Sequence, residues 1–186
     1  TGQKVKLFAF DEVQNLPPSV ELHDASQILD RKYFQRIRPG FPDVPKQTRV
    51  IVQFSDIFRI ALMKHRQGVW LDTDVYLTRQ FHPGADRPFV GRENFFRVGV
   101  SALYFPSDSP VIDEFYNFID GTDVLPSWLG LRRGVLRPAW FRLTGRVVAP
   151  ATVGITVFGN DGISALAKRY GFFRSAAPVM MNPFWQ

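Results

Sequence analysis

The chain has 186 residues, which fits one domain over residues 1–186, and 45% hydrophobic residues is ordinary for a globular protein. It contains no cysteine, which excludes disulfides and zinc–thiolate sites and fits a reducing, cytoplasmic location. No apolar run approaches the roughly 20 residues of a membrane span. The net charge of +6 favours an anionic partner, whether nucleotide, nucleic acid or acidic membrane surface.

The first part of the chain alternates between strand and short-helix patterns. Residues 4–10 alternate between polar and apolar and predict a strand, and residues 20–22 predict a second, shorter one. Residues 24–34 predict a short helix capped by Asp24, and the three prolines and one glycine of residues 38–45 predict a loop.

A helix followed by a buried strand is predicted at the centre of the chain. Ser55 is a suitable N-cap, Asp56 lies in the first turn, and Arg59 shares a helix face with Asp56 because the two are three residues apart. Gly68 suits a C-terminal stop, and the apolar residues 69–71 predict a buried strand.

Two aspartates, Asp72 and Asp74, follow this strand. Residues two apart in a strand point to the same side, and strand ends commonly open into a site. Mg²⁺ and Mn²⁺ are held by one or two carboxylates together with substrate phosphates and water. The pair therefore predicts a metal–diphosphate site, and a polar strand end capped by aspartate is the alternative.

The second half continues the alternation, which favours an α/β fold with a largely parallel sheet. Strands are predicted at residues 75–77, 89–91 and 99–105, and helices at residues 110–119 and 163–170, the last after an extended start at residue 152. Asn94 follows a strand and is a candidate to face the site. Asn160 lies in a Gly-Asn-Asp-Gly turn that could meet phosphate at a helix N-terminus or be a plain turn.

Residues 125–148 carry five arginines and no acidic residue, interleaved with Trp128, Trp140 and Phe141. The segment is an ordinary solvated face, an acceptor-side flap for an acidic glycan or lipid phosphate, or a surface that docks on the inner face of a membrane through Arg132, Arg133 and Arg137. Nucleic-acid binding would need the same arginines, but no helix-turn-helix, RNA-recognition or zinc signature is present, so no nucleic-acid partner is expected.

Residues 55–75, SDIFRIALMKHRQGVWLDTDV, resemble the signature of glycosyltransferases with a DXD-motif sugar-binding region. The usual form there is Ser-Asp-x-x-Arg, a helix, Gly-Gly, an aromatic residue and Asp-x-Asp; here Gln67 replaces the first glycine. The remaining matches are Ser55, Asp56, Arg59, Gly68, Trp70, Asp72 and Asp74. Residues 4–29, 152–173 and 178–185 are similar to other parts of the family more weakly.

The resemblance implies a GT-A-like fold, a mostly parallel sheet flanked by helices, and a metal-dependent glycosyltransferase. Its donor would be a nucleoside-diphosphate sugar, its cofactor Mn²⁺ or Mg²⁺, and its acceptor a glycan or glycolipid, with retention of configuration. By the same resemblance Ser55, Asp56 and Arg59 bind the donor sugar and Trp70 lies beside the donor. Asp72 contacts ribose or the water shell of the metal, and Asp74 ligates the metal.

Family members open with a further strand and helix before the part that corresponds to Thr1, so the resemblance implies a domain without its usual first strand. Three hypotheses therefore stay open. The chain is a glycosyltransferase, a catalytically impaired remnant that acts as a scaffold or weak nucleotide-sugar binder, or a basic membrane- or nucleic-acid-binding module. Asn160 and Asp161 are acceptor- or metal-side candidates from their position in the family.

Overall fold

The computed structural model describes residues 2–39 and 48–177. A parallel strand pair, an antiparallel three-stranded sheet and a set of helices make up the described chain, which confirms the mixed α/β class. No helix within these ranges is long and apolar enough to cross a membrane. The predicted loop at residues 38–45 falls mostly outside the described residues, and the segment similar to the family at residues 178–185 lies wholly outside them.

The first two strands are those that the sequence predicts. Strand β1 (Val5–Ala9) pairs in parallel with β2 (Val20–Asp24). The predicted cap at Asp24 is confirmed, because its carboxylate accepts a hydrogen bond from Ser26 N (2.8 Å). The continuous helix predicted at residues 24–34 is wrong, because two 3-10 turns, Ala25–Gln27 and Arg31–Tyr33, precede the short helix α1 (Phe34–Ile37). Asp30 explains the break. Its backbone is extended and its carboxylate accepts a hydrogen bond from Lys32 N (2.8 Å), so it starts a second turn instead of continuing the first.

Helix α2 (Thr48–Lys64) is the longest described helix and runs through the core. The predicted cap at Ser55 is wrong, since Ser55 lies in the middle of α2. Val50 and Phe54 are buried and extend the apolar stripe of Ile57 toward the start of the helix. Packing therefore stabilises the helical conformation of this segment, although it is rich in β-branched residues.

The end of α2 lies close to the predicted stop. Arg66 adopts the left-handed conformation (φ 55°), and the Gln67 amide donates to the Leu62 carbonyl (2.9 Å). This is a helix C-terminal motif in which glycine usually occupies the left-handed position. Gly68, at φ 113°, then turns the chain into the next strand.

The second sheet has the order β3–β5–β4, with β3 at Trp70–Leu71, β4 at Phe89–Arg92 and β5 at Val98–Tyr104. Its three strands pair antiparallel, whereas β1 and β2 pair in parallel and Ala177 forms an isolated parallel bridge with Gly91 of β4. The described strands therefore do not show the expected mostly parallel sheet. The turn at residues 93–97 is too short for a parallel crossover and allows only a hairpin between β4 and β5.

The remaining helices are α3 (Pro110–Asp120), α4 (Arg137–Leu143), α5 (Pro150–Val153), α6 (Asn160–Arg169) and α7 (Phe172–Ser175). A π-helical turn, Arg132–Leu136, leads directly into α4. Helix α3 is as predicted, with Ser109 as its cap. The extended start predicted at residue 152 is wrong because Thr152 lies in α5, and the last predicted helix begins earlier, at Asn160.

The core gathers around α2. Its fully buried side chains include Ile57 and Ile60 of α2, Phe115 of α3 and Phe158 before α6. Because α2 is surrounded in this way, Asp56 and Arg59 lie inside the protein, with 4% and 6% of their surface exposed. Charged groups this deeply buried are stable only when they are paired.

Candidate functional site

A buried ion pair links α2 to the antiparallel sheet. Arg59 Nη2 lies 3.0 Å from Asp56 Oδ1, and Arg59 Nη1 donates a hydrogen bond to the Val100 carbonyl of β5 (2.7 Å). The predicted helix-face pairing of Asp56 with Arg59 is therefore confirmed. The guanidinium is held in one orientation by contacts on two elements of the fold.

Trp70 and Asp72 complete a cluster around the same guanidinium. The Arg59 Cζ atom lies 4.9 Å from the centre of the Trp70 ring, and Trp70 Nε1 donates to Asp72 Oδ1 (2.6 Å). Arg59 Nη1 lies 3.8 Å from the same Asp72 oxygen. The Asp72 amide donates to the Ser101 carbonyl of β5 (2.8 Å), which fixes Asp72 at the strand end.

Burial dominates the protonation of Asp56. It raises the pKa of Asp56 to about 7, while the Arg59 guanidinium acts in the opposite direction and the Asp72 charge adds to the increase. The 3.0 Å ion pair thus offsets only part of the cost of burying the carboxylate. At neutral pH this carboxyl can both accept and donate a hydrogen bond, as a hydroxyl-bearing ligand requires.

Asp74 differs from Asp72 in position and exposure. Strand β3 ends at Leu71, and the Val75 amide donates to the Asp72 carbonyl (3.0 Å), so residues 72–75 form a turn. The strand predicted at residues 75–77 is wrong, and so is the argument that strand periodicity directs both carboxylates to one side. Asp74 is exposed in this turn, beside a half-buried Asp72.

Asp72 and Asp74 alone provide too few ligands for a complete cation site. No group of three or more His, Asp or Glu side chains within the described ranges could hold a metal ion. The Trp70 and Arg59 contacts occupy Asp72 Oδ1, whereas no described residue makes a hydrogen bond or ion pair with the Asp74 carboxylate. Two carboxylates suit Mn²⁺ or Mg²⁺ when phosphate and water supply the remaining ligands, so the residues fit such an ion only with a phosphate-bearing ligand.

Ser55, Asn94 and Asn160 lie outside this cluster. Ser55 is half-buried in α2, and its side chain takes part in none of the hydrogen bonds described for the cluster. Asn94 Oδ1 accepts from the amides of Phe96 (2.8 Å) and Arg97 (3.0 Å) and closes the β4–β5 turn. Asn160 Nδ2 donates to Glu93 Oε2 (2.8 Å) and holds α6 to that turn. In this structure both asparagines support the β4–β5 turn.

The start of α6 contacts the cluster through Gly159, the first residue of the Gly-Asn-Asp-Gly turn. A Cβ atom on Gly159 would lie 2.7 Å from Asp56 Oδ2, so only glycine lets the backbone approach this carboxylate so closely. The Gly-Asn-Asp-Gly run indicated a turn, but nothing in its pattern linked that turn to a residue one hundred positions earlier.

Asp161, in the first turn of α6, binds two arginines. Arg133 Nη1 lies 2.5 Å from Asp161 Oδ2, and Arg97 Nη2 lies 3.2 Å from Oδ1. Burial alone would raise the pKa of Asp161, but hydrogen bonds from Thr156 and Arg133 and the Arg97 charge together hold the pKa below its ordinary value. Asp161 is therefore an ionised structural link between α6 and the arginine-rich segment.

A cavity of about 650 Å³ lies at the opposite end of β3, near the start of that strand. It is lined by Met63 at the end of α2, by Arg66 and Gly68, and by Tyr104 and residues 106–110. None of the predicted site residues lines it. The cavity and the Asp56–Asp72 cluster are thus separate features.

Residues 8–95 match the family model described as the glycosyltransferase sugar-binding region containing DXD motif. This span includes α2, β3 and the whole Asp56–Arg59–Trp70–Asp72 cluster as well as Asp74. No curated protein and no solved structure matches the chain. Residues 8–95, slightly less than half of the chain, are therefore similar to glycosyltransferase sugar-binding regions that contain a DXD motif.

Proposed function

We propose that the chain is a metal-dependent glycosyltransferase that moves a hexose from a nucleoside-diphosphate sugar to a glycan or glycolipid, with retention. It would use a single GT-A-like domain over residues 1–186. The observation that carries the proposal is the buried guanidinium of Arg59, which holds Asp56 and Asp72 together within the family region.

Asp56 and Arg59 suit the sugar side of such a donor. Asp56 is a buried carboxyl with a pKa of about 7, so it can accept from one sugar hydroxyl or donate to another. Arg59 keeps Asp56 in place through the 3.0 Å pair and is itself fixed by the Val100 carbonyl. The sugar would therefore meet a site with little freedom to rearrange, which is what positioning for transfer requires.

Asp72 and Asp74 suit the diphosphate side. A cation bound there would act as a Lewis acid that stabilises the charge on the leaving diphosphate. Trp70 orients Asp72 through the 2.6 Å hydrogen bond to Oδ1, and Oδ2 takes no part in that hydrogen bond. Asp74, exposed in the following turn, would complete the carboxylate pair. No general base is assigned, because in a front-face transfer the leaving phosphate takes the acceptor proton.

Turnover of UDP- and GDP-sugars with Mn²⁺ tests this proposal. Asp74→Asn is expected to abolish Mn²⁺-dependent release of sugar, because the amide loses the charge that a divalent cation needs. Asp123→Asn is the matched control, since Asp123 is also exposed but lies after α3, and it should retain wild-type turnover. Unchanged turnover in Asp74→Asn would show that the metal assignment is wrong.

Calorimetry with the same donors separates an enzyme from a non-catalytic remnant. Donor binding that depends on Mn²⁺, together with slow sugar release, supports the enzyme. Donor binding without any turnover under all acceptor conditions supports a remnant that only binds nucleotide sugar. No heat of binding at any Mn²⁺ concentration would contradict the enzyme and support a remnant that acts as a scaffold.

A further inference from the structure

An apolar surface lies on the outside of the arginine-rich segment. Six of the fifteen large hydrophobic side chains that are exposed in the described chain lie between residues 131 and 147, each more than half exposed. They are Leu131, Val135, Leu136, Trp140, Leu143 and Val147, here called the outer apolar face. Leu143 is the most exposed of them, at 82%. Single exposed apolar residues are ordinary on a protein surface, but a contiguous group is typical of a binding surface.

Helix geometry separates this face from the one that holds the segment to the protein. Leu136, Trp140 and Leu143 follow the i, i+4, i+7 spacing and lie along one side of the helix. Pro138 and Phe141 are buried on the opposite side. The segment is therefore apolar on both sides, whereas a surface helix with no partner is polar on its outer side.

Arginines border the outer apolar face. At 3.6 residues per turn, Arg137 lies about 100° to one side of Leu136 and Arg142 about 120° to the other. Arg132 and Arg146 lie near the two ends of the face. Residues 125–148 contain no acidic residue that could neutralise them.

The arginines divide into two groups. Arg133 is paired with Asp161 (2.5 Å), and Arg137 Nη1 donates to the Val153 carbonyl (2.9 Å), so these two anchor the segment to the fold. Arg132, Arg142 and Arg146 are exposed and make no ion pair with any residue of the described chain. Arg132, Arg142 and Arg146, rather than the anchored Arg133 and Arg137, are thus available to an anionic partner.

We propose that the outer apolar face docks on an anionic membrane surface, with Leu136, Trp140 and Leu143 in the headgroup region and Arg132, Arg142 and Arg146 against lipid phosphates. Interfacial helices have this combination of an apolar side and flanking cations. A second copy of the chain would bring the same uncompensated arginines into contact, and nucleic acid offers no partner for the outward leucines. Because the cytoplasmic leaflet carries the anionic lipids, the protein would sit on the inner face of the membrane.

Vesicle co-sedimentation of the full chain tests the proposal. Binding is expected to vesicles of phosphatidylcholine mixed with phosphatidylglycerol, and it should weaken as salt is raised. The Arg142→Gln/Arg146→Gln variant should bind about 25-fold more weakly, at about fivefold per arginine. The Trp140→Glu/Leu143→Glu variant should bind about a hundredfold more weakly, since both insertions are lost. Arg87→Gln and Leu22→Ala, exposed residues on other parts of the surface, should bind as the wild type does.

Tryptophan fluorescence tests the same face without a destabilising change. Vesicle binding should shift the emission to the blue, and the shift should disappear in Trp140→Phe although this variant still co-sediments. Equal binding to pure phosphatidylcholine, or full binding by Trp140→Glu/Leu143→Glu, would overturn the proposal. Absence of vesicle binding would also overturn it, and dimerisation that these substitutions abolish would then assign the face to a second copy.

Discussion

The pH dependence of stability tests whether burial raises the pKa of Asp56. Comparison with Asp56→Asn isolates the contribution of this carboxyl. Burial raises the pKa of Asp56 from 3.8 to about 7, so the folded protein binds this proton more tightly than the unfolded chain does. The stability that the proton contributes is fully present below about pH 4 and is lost as the pH rises to about 7. At about 1.36 kcal/mol for each pH unit, the loss amounts to about 4 kcal/mol.

Urea unfolding of wild type and Asp56→Asn from about pH 4 to about pH 8 measures this loss. The free energy of unfolding of the wild type, minus that of the variant, should fall by about 4 kcal/mol and then level off above about pH 7. Other titrating groups are common to both proteins and cancel in the difference. Asp123→Asn, in which the removed carboxyl is exposed, should give a nearly flat difference. A flat or rising difference for Asp56→Asn would show that the pair with Arg59 outweighs burial.

Two substitutions around the cluster extend the test. Gly159→Ala should lower the free energy of unfolding by about 1–3 kcal/mol, because its Cβ would lie 2.7 Å from Asp56 Oδ2. Gly130→Ala is the control and should be nearly neutral, because a Cβ there would have no atom within 4 Å. Equal stabilities of the two variants in urea unfolding would contradict the close contact. Trp70→Phe keeps a ring over Arg59 but loses the donor to Asp72, so calorimetry should show about tenfold weaker Mn²⁺-dependent donor binding. Trp140→Phe is its control, and unchanged affinity in Trp70→Phe would show that Asp72 does not need this hydrogen bond.

Local patterns were enough to predict the ingredients of the cluster. Asp56 and Arg59 are three residues apart on a helix, and Trp70 and Asp72 are two apart around a strand end, so each pair is close for reasons that sequence spacing contains. The combination of the two pairs also carried the family resemblance, which the match over residues 8–95 confirms.

The start of α2, the contact between Gly159 and Asp56, and the exposed turn at Asp74 depend on tertiary packing, which local sequence patterns do not contain. Residues 50–52 are Val, Ile and Val, which do not favour helix, yet Val50 is fully buried as part of α2 and Ser55 consequently lies mid-helix. The contact of Gly159 with Asp56 joins residues far apart in the chain, and no local pattern encodes it. The turn after Leu71 exposes Asp74 because β3 has only two residues, and strand length is poorly encoded in so short a run.

The polarity of the sheet was mispredicted for a related reason. Alternating strands and helices favour parallel crossovers, but the five-residue connection between β4 and β5 leaves no room for one. The parallel pair β1–β2 is joined by residues 10–19, which is long enough for the chain to return to the same edge. Connection length, rather than element order, therefore gave the better indication of sheet direction.

The most direct test of the central claim is a calorimetric titration of UDP- and GDP-sugars into wild type, Asp74→Asn and Asp123→Asn, each with and without Mn²⁺. We expect the wild type and Asp123→Asn to bind one donor only when Mn²⁺ is present, and Asp74→Asn to show no Mn²⁺-dependent binding. Donor binding that is equally strong with and without Mn²⁺, or that persists unchanged in Asp74→Asn, would contradict a metal–diphosphate site at Asp72 and Asp74.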